Sequence, residues 1–203
     1  MPDSAICIEL NLGPARDQGP RPTCLSFAVS DIHRVVRNPK ELLSPESLHR
    51  RASLRAGRTV ADALTTGAAI NSLALDGQSS EFDWPYGSEN PLNASCRFHQ
   101  AHAVDRPFDV STVERSLKCG RAIGLIINID VPFFMCRDLT PLDLLKSAKI
   151  EGRHAVVICG FRLSGGSYEY SIKNSWGEGW GMRGHAWLTS KYISARSPRL
   201  LWI

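Results

Sequence analysis

The first half of the chain places apolar residues at helical spacing; the second half runs them together or alternates them. From Cys24 onward Leu25, Ala28, Val29, Ile32, Val35 and Val36 share one face, which predicts a buried helix with Cys24 at or near its N-terminus. Asn38-Pro39 ends that run. Ser44-Pro45 joins a capping residue to a proline and predicts a second helix. A third, alanine-rich helix is expected from Thr59 to Leu75, closed by Asp76-Gly77. Trp84 to about Phe108 reads as loop. Ser111-Thr112-Val113-Glu114 has the capping-box pattern and predicts a short helix. Thr140-Pro141 predicts another.

Strand signals lie mostly later. Ile6 to Leu12 predicts a short edge strand. Ile123 to Ile129 and Ala155 to Phe161 are continuous apolar runs, as in buried strands. Ser164-Gly165-Gly166-Ser167 is a turn. Tyr168, Tyr170 and Ile172 alternate with polar residues, and Gly184 to Thr189 follows as a further strand. The fold class is therefore α+β, with a helical first half and a β-rich second half.

Length and composition narrow the class. The chain has 203 residues, 43% hydrophobic and 22% charged, ordinary values for one domain or two small lobes sharing a core. The net charge of +4 comes from scattered basic residues, with Arg50-Arg51 the one adjacent pair. No nucleic-acid partner is expected. No apolar run reaches bilayer length, so no membrane partner is expected. Met1 to Cys7 lacks the basic-then-apolar order of a signal peptide. The six cysteines are widely spaced, and without a secretory context they predict free thiols, five of them buried or partly buried. Cys96, His99 and His102 offer three possible ligands where zinc takes four, so no metal or organic cofactor is expected. His33, His49 and His185 read as packing or surface residues.

Three segments carry candidate chemistry. Cys24 follows Gln18-Gly19-Pro20-Arg21-Pro22-Thr23, where the two prolines stiffen the approach to the helix. His154 lies in Gly152-Arg153-His154-Ala155-Val156, and Asn174 in Lys173-Asn174-Ser175-Trp176-Gly177. Alone, Cys24 reads as a small buried hydrophobe, and His154 as a strand histidine. Together, a thiol, an imidazole and a carboxamide are the parts needed to attack an acyl group with sulfur. Cys24 comes from one half of the chain and His154 and Asn174 from the other, so their site must lie in a cleft between the halves.

With these motifs the chain resembles the papain-like cysteine proteases over nearly its whole length. The resemblance rests on Gln18 six positions before Cys24, Leu43-Ser44-Pro45-Glu46-Ser47-Leu48, Trp84-Pro85-Tyr86, His154-Ala155-Val156, and Lys173 to Gly177 extended through Gly179-Trp180-Gly181. It implies a single peptidase domain, with a helical left lobe of about 19–108 and a β-barrel-like right lobe of about 1–18 and 109–203. It also implies hydrolysis of a peptide or isopeptide bond through a thioester acyl-enzyme. Cys24 would be the nucleophile, His154 the base and acid, Asn174 the group that fixes the imidazole, and Gln18 an oxyanion donor. The triad of cysteine, histidine and asparagine is a known variant of this chemistry. Trp176 would shield the pair of His154 and Asn174 from water. Two other readings keep the fold: a degenerate peptide-binding module, and a thiol acyltransferase or amidase.

The departures from the family pattern carry expectations of their own. Arg21, Pro22, Thr23 and Leu25 stand where relatives have Cys-Gly-Ser and Trp, so a bracing disulfide is missing. Cys96 resembles half of another disulfide whose partner region, Leu48-His49-Arg50, lacks cysteine. These losses imply a cytoplasmic setting, or a domain of a larger protein. Gly57, Arg58, Thr59 and Val60 are the best match to the family's substrate-binding strand. Arg153 precedes His154 where relatives often carry an acid; a cation there disfavours imidazolium, which predicts a weaker ion pair or a pH optimum shifted down. The partner is a peptide or protein substrate. No propeptide helix precedes Ile6, so restraint is expected from a propeptide, larger precursor or protein regulator outside this sequence.

Overall fold

The computed structural model describes residues 5–7, 12–37, 40–138, 140–145 and 148–203. Helix α1 (Cys24–Arg37) begins directly after Thr23 and buries every residue from Leu25 to Arg34. Its first turn holds no carboxylate, and Arg34 and Arg37 fall in its last, so its positive N-terminal end is not neutralised from within. Helix α2 (Pro45–Arg55) opens as expected, with the Ser44 hydroxyl accepting from the Ser47 N–H at 3.0 Å. Helix α3 (Thr66–Leu75) starts later than the expected Thr59. Thr59 instead closes a turn, its hydroxyl and N–H both donating to Asp62 Oδ2 at 2.9 and 3.0 Å, and Thr65 is the cap.

The sheet supplies the other half. Among the described residues its order is β2-β7-β3-β4-β5-β6, with β1 (Ala5–Cys7) paired to β4. The ranges are β2 (Val104–Pro107), β3 (Ile123–Asp130), β4 (Ile150–Ser164), β5 (Ser167–Lys173), β6 (His185–Thr189) and β7 (Arg199–Trp202). All recorded strand pairs are antiparallel. Helix α4 (Val110–Lys118) is capped by Asp109, which accepts from the Thr112 N–H at 2.7 Å, so the carboxylate rather than Ser111 sets its start. Short helices α5 (Val131–Phe134) and α6 (Ser190–Ser194) follow β3 and β6.

Several expectations need correction. The expected strand from Ile6 to Leu12 is β1 at its start, while 8–11 and Asn38-Pro39 lie outside the described residues. The expected loop from Trp84 to Phe108 contains β2, whose partner β7 is distant in sequence and invisible to a local pattern. Residues 140–145 form no helix; the Leu142 N–H donates to Trp187 O at 2.8 Å and the segment lies beside β6. Against the expectation of buried or partly buried thiols, Cys7 and Cys119 are exposed.

Side chains of β3 and β4 divide the core between two faces, as strand alternation requires. Leu125, Ile127, Val156 and Ile158 join Ile172, Leu188 and Phe133 on one face. Ile126, Ala155 and Val157 join Leu25, Val29, Ile32 and Leu73 on the other. Helix α1 packs on this second face at Gly124, where a Cβ would crowd Leu201 at 3.1 Å and meet Ile32 in ordinary contact at 3.6 Å.

One buried ion pair crosses from helix to sheet. Lys173 Nζ on β5 lies 2.8 Å from Asp31 Oδ2 on α1 and donates to Leu12 O at 2.8 Å. Arg16 Nη2 approaches the other Asp31 oxygen at 3.2 Å. Removing one partner of such a pair leaves a buried charge uncompensated, at a cost of about 3–5 kcal/mol. Asp31→Asn is therefore expected to lower unfolding stability in urea by about 3 kcal/mol or more, and Asp31→Leu with Lys173→Met to recover part of the loss. A loss below about 1 kcal/mol in the single variant would show that the pair does not hold helix and sheet together.

Candidate active site

Cys24 opens α1, where the backbone N–H groups of a helix start face outward. Burial pushes its thiol up, opposed by the backbone N–H groups of Ala155, Leu25 and Cys24 itself. The Ala155 amide belongs to the peptide that links it to His154. The sulfur on the helix thus sits beside the backbone that carries the imidazole on β4.

His154 is buried, and its Nε2 lies 2.7 Å from Asn174 Oδ1. That oxygen also accepts from the Ser175 N–H at 2.8 Å, which fixes the carboxamide orientation. An acceptor oxygen there assigns the ring proton to Nε2 and leaves the Nδ1 lone pair for other use. Asn174 is held in turn by its backbone, whose N–H donates to Gly184 O at 2.9 Å. Gly184 has φ of 80°, and a Cβ there would overlap Ala15, so glycine is required for this approach.

Aromatic rings cover the imidazole. Trp176 lies 4.6 Å from it between centroids, tilted by 33°. Phe133 meets it edge-on at 6.0 Å, and Phe134 stacks on Trp176 at 5.1 Å. Trp176 thus lies over His154. Phe133 and Phe134 were not singled out by the sequence; their hint was Asp130-Val131-Pro132, a capping residue followed by a proline. Asp130 caps α5 through the Phe133 N–H at 3.3 Å and is itself buried, bonded by Tyr192 Oη at 2.8 Å and by the Arg196 guanidinium. Trp180 is buried, and its indole N–H donates to Phe133 O at 3.0 Å.

Gln18 is buried beside this group. Its Oε1 accepts from Ser175 Oγ at 2.7 Å, and its Nε2 donates to Arg21 O at 2.7 Å. An amide nitrogen has two hydrogens, so one remains for another acceptor. Gln18 does not line the cleft described next.

A cleft of about 360 Å³ runs past these groups, lined by Cys24, Leu25, Ala63, Leu64, Thr65, Thr66, Ile126, Arg153, His154 and Ala155, with Pro22 at its edge. It brings Cys24 and His154 into one space. Gly57, Arg58, Thr59 and Val60 do not line it. Gly57 and Arg58 turn back on the end of α2 through Leu54 O and Ser53 O, Val60 O meets His49 Nε2 at 3.0 Å, and the chain reaches the cleft only at Ala63. The late start of α3 is the reason: the helix begins at Thr66, and Ala63 to Thr66 form the wall. A second cavity of similar volume, at the Arg106, Arg115, Arg121 and Trp202 side of the sheet, holds Cys119 but no imidazole.

Arg153 corrects another expectation. Its guanidinium is exposed and donates to Asn128 Oδ1 at 3.1 Å and Ser197 O at 3.3 Å. The His154 imidazole is pushed down to about 4, by burial, with the Asn174 bond opposing. Desolvation, not the Arg153 charge, is what disfavours imidazolium here.

The consequence for stability has a definite sign. An unfolded chain protonates this histidine near 6.5, the folded one near 4. Between those values the unfolded state binds more protons, so stability falls as pH drops. In a Cys24→Ala protein, where the thiol cannot titrate, His154 is expected to titrate near 4 by NMR. That protein should lose about 3 kcal/mol, relative to Cys24→Ala/His154→Gln, on going from pH 7 to below 4. A resonance titrating above 6 would contradict the buried, uncharged imidazole.

Known proteins resemble this chain in sequence and fold. Residues 138–195, which carry His154 and Asn174, match the family model of the papain family cysteine protease. The chain is 23% identical over 186 residues to Cysteine proteinase 3 of Dictyostelium discoideum, covering 85% of this chain and 54% of that protein, about half its length. Among solved structures, proCathepsin B S9 from Trypanosoma congolense superposes with a TM-score of 0.80 at 12% identity, over 98% of this chain and 77% of that one. Procathepsin L 3 of the Tenebrio molitor larval midgut gives 0.74 at 19% identity, over 100% and 70%. The Carica candamarcensis cysteine protease CMS1MS2, solved in complex with E-64, gives 0.72 at 18%, over 98% and 96%. The chain has the α+β papain-like fold, and over residues 138–195 it is similar to the papain family cysteine proteases.

Proposed function

We propose that this chain is a cysteine peptidase that hydrolyses peptide or isopeptide bonds through Cys24, His154 and Asn174. The observation that carries the reading is the shared cleft: a thiol at a helix N-terminus and an imidazole whose Nε2 is held by a carboxamide line the same space. In this reading the chain is one peptidase domain, whose helical lobe of about 19–108 and β-rich lobe of about 1–18 and 109–203 close on an extended substrate.

The steps follow from the donors present. His154 Nδ1 takes the proton of the Cys24 thiol in the resting enzyme, and the thiolate attacks the scissile carbonyl carbon. The C–S bond forms and the carbonyl π electrons move to oxygen. The Cys24 backbone N–H and the second Gln18 Nε2 hydrogen donate to that oxyanion; losing one such donor costs about 3–4 kcal/mol of barrier. The intermediate collapses, the C–N bond breaks, and Nδ1 returns its proton to the leaving amine. A thioester remains. Water then attacks it with Nδ1 as base, the C–S bond breaks, and the acid leaves with thiolate and imidazolium restored. The Asn174 bond keeps the ring oriented throughout, and Trp176 excludes water from that bond. The helix N-terminus and the imidazolium both favour thiolate, offsetting the burial that disfavours it. The apolar lining from Leu25, Ala63, Leu64 and Ile126 fits an apolar substrate side chain. Two of the solved relatives are proenzymes by name, and a propeptide, precursor segment or protein regulator covering the cleft is the restraint proposed here.

An irreversible epoxide or vinyl-sulfone thiol-protease reagent tests the site. Wild-type protein should label at Cys24 at neutral pH, and His154→Ala should label at least about 100-fold more slowly, the scale of positioned acid–base assistance. Equal labelling of the two would remove the catalytic reading. Product analysis with an added amine separates the outcomes further: free acid supports the hydrolase, an amide adduct supports an acyltransferase, and labelling without turnover of any peptide or amide supports a binding module.

A further inference from the structure

The loop from Gln18 to Thr23 places both proposed oxyanion donors, and an arginine anchors it. Arg21 reaches α2 with a two-pronged ion pair, Nη1 to Glu46 Oε2 at 2.5 Å and Nη2 to Glu46 Oε1 at 3.0 Å. Glu46 is fully buried, while Arg21 keeps 29% of its side chain exposed. Arg50 Nε donates to the same carboxylate at 2.7 Å and the Gly87 N–H at 3.0 Å. Burial alone would raise the Glu46 carboxyl; the bonds from Arg21, Gly87 and Arg50 outweigh it and hold it below the ordinary glutamate range.

The same residue touches the other end of the problem through its backbone. Arg21 O accepts from Gln18 Nε2 at 2.7 Å and from the Thr23 N–H at 2.8 Å. Its guanidinium lies 5.0 Å from the centre of the Tyr86 ring. Tyr86 Oη donates to Gln18 O at 2.7 Å and lies 2.8 Å from Thr23 Oγ1. Guanidinium, carboxylate and phenol thus clamp the loop from outside, while the Arg21 carbonyl fixes which way the Gln18 amide points. A planar fork meeting a carboxylate resists rotation in a way that a point charge does not.

We propose that Arg21, through its ion pair with Glu46, is a positioning residue that aims the Gln18 amide and the Cys24 N–H at the oxyanion. This deepens the peptidase reading and rests on it. Arg21 itself touches neither substrate nor sulfur; its effect falls on steps that build negative charge on oxygen. Attack by sulfur on an alkyl halide builds no oxyanion, and addition of sulfur to a peptide aldehyde does. The two reactions therefore separate aim from reactivity.

The experiment compares wild type, Arg21→Met, Arg21→Lys and Glu46→Gln, each first checked for folding by circular dichroism and urea midpoint. Three quantities are read: kcat and KM on a fluorogenic peptide panel, the inhibition constant of a peptide aldehyde, and the rate of Cys24 alkylation by iodoacetamide. Arg21→Met is expected to lose about 10–100-fold in kcat and a similar factor in aldehyde affinity, less than the loss from removing one donor outright, because both donors remain and only their aim changes. KM and the alkylation rate should stay within about twofold. Arg21→Lys, which keeps the charge but loses the fork, should fall between Met and wild type. Two results overturn the inference: turnover and aldehyde affinity that survive Arg21→Met, or losses matched by an equal fall in alkylation, which would mark a merely structural role. A wild-type protein that binds the aldehyde but cleaves no peptide would count against the hydrolytic reading, and the aldehyde arm would still decide the role of Arg21.

Discussion

Asp31 lies about two helical turns along α1 from Cys24, and Lys173 directly precedes Asn174 at the end of β5. Their buried contact at 2.8 Å therefore sets the distance between the helix that bears the sulfur and the strand that bears the carboxamide. Apolar packing alone tolerates sliding, because one aliphatic contact replaces another. A desolvated ammonium facing a carboxylate has no such freedom, since any displacement exposes two charges to a low-dielectric interior. Arg16 and the Leu12 carbonyl complete the cluster. The N-terminal segment is thereby drawn into the same junction, and Asp17 and Gln18 follow it to Trp176 and Ser175. The groups around the cleft come from distant parts of the chain, and this charge cluster fixes them in one frame.

Around Cys24 and His154 the surroundings disfavour charge. Burial raises the thiol and lowers the imidazole, so neither ionises easily alone. In the proposed mechanism each supplies the counter-charge that the other lacks, with the start of α1 adding its partial positive charge. The rings of Trp176, Phe133 and Phe134 make the imidazole dry, and Asp130 anchors the turn that carries two of them. The aromatic lid thus belongs to the same account as the ion pair. One holds the reacting groups in place, and the other excludes the water that would screen them.

Much of this was legible in the sequence, for physical reasons that can be named. The face of α1 shows because the helix is buried along most of its length, so its apolar period is strong. Ser44-Pro45 shows because capping is local chemistry. His154 and Asn174 show through their flanks. What stayed hidden depends on contacts far apart in sequence. Strand β2 is short and exposed, and its partner is β7 near the other end of the chain. Thr59 and Thr65 are both plausible caps; Asp62 captures the first, so α3 starts at the second. That shift moves the cleft wall from Gly57–Val60 to Ala63–Thr66. Arg153 was expected to act on His154 by adjacency; both line the cleft, but its guanidinium turns to Asn128 Oδ1 and Ser197 O, and burial alone lowers the imidazole. Arg21 was visible as a departure from the family's cysteine, yet only Glu46, buried and on another helix, shows what stands in for that link.

The central claim is that the Cys24 sulfur and the His154 imidazole share a proton inside one cleft. Ultraviolet difference titration of the thiolate, taken between wild type and Cys24→Ala, measures this most directly. The account predicts thiolate absorbance already present at neutral pH in the wild type, and its displacement to well above the ordinary cysteine range in His154→Ala, where burial acts on the thiol without a partner. A thiolate that appears at the same alkaline pH with and without His154 would show that the two groups do not exchange the proton.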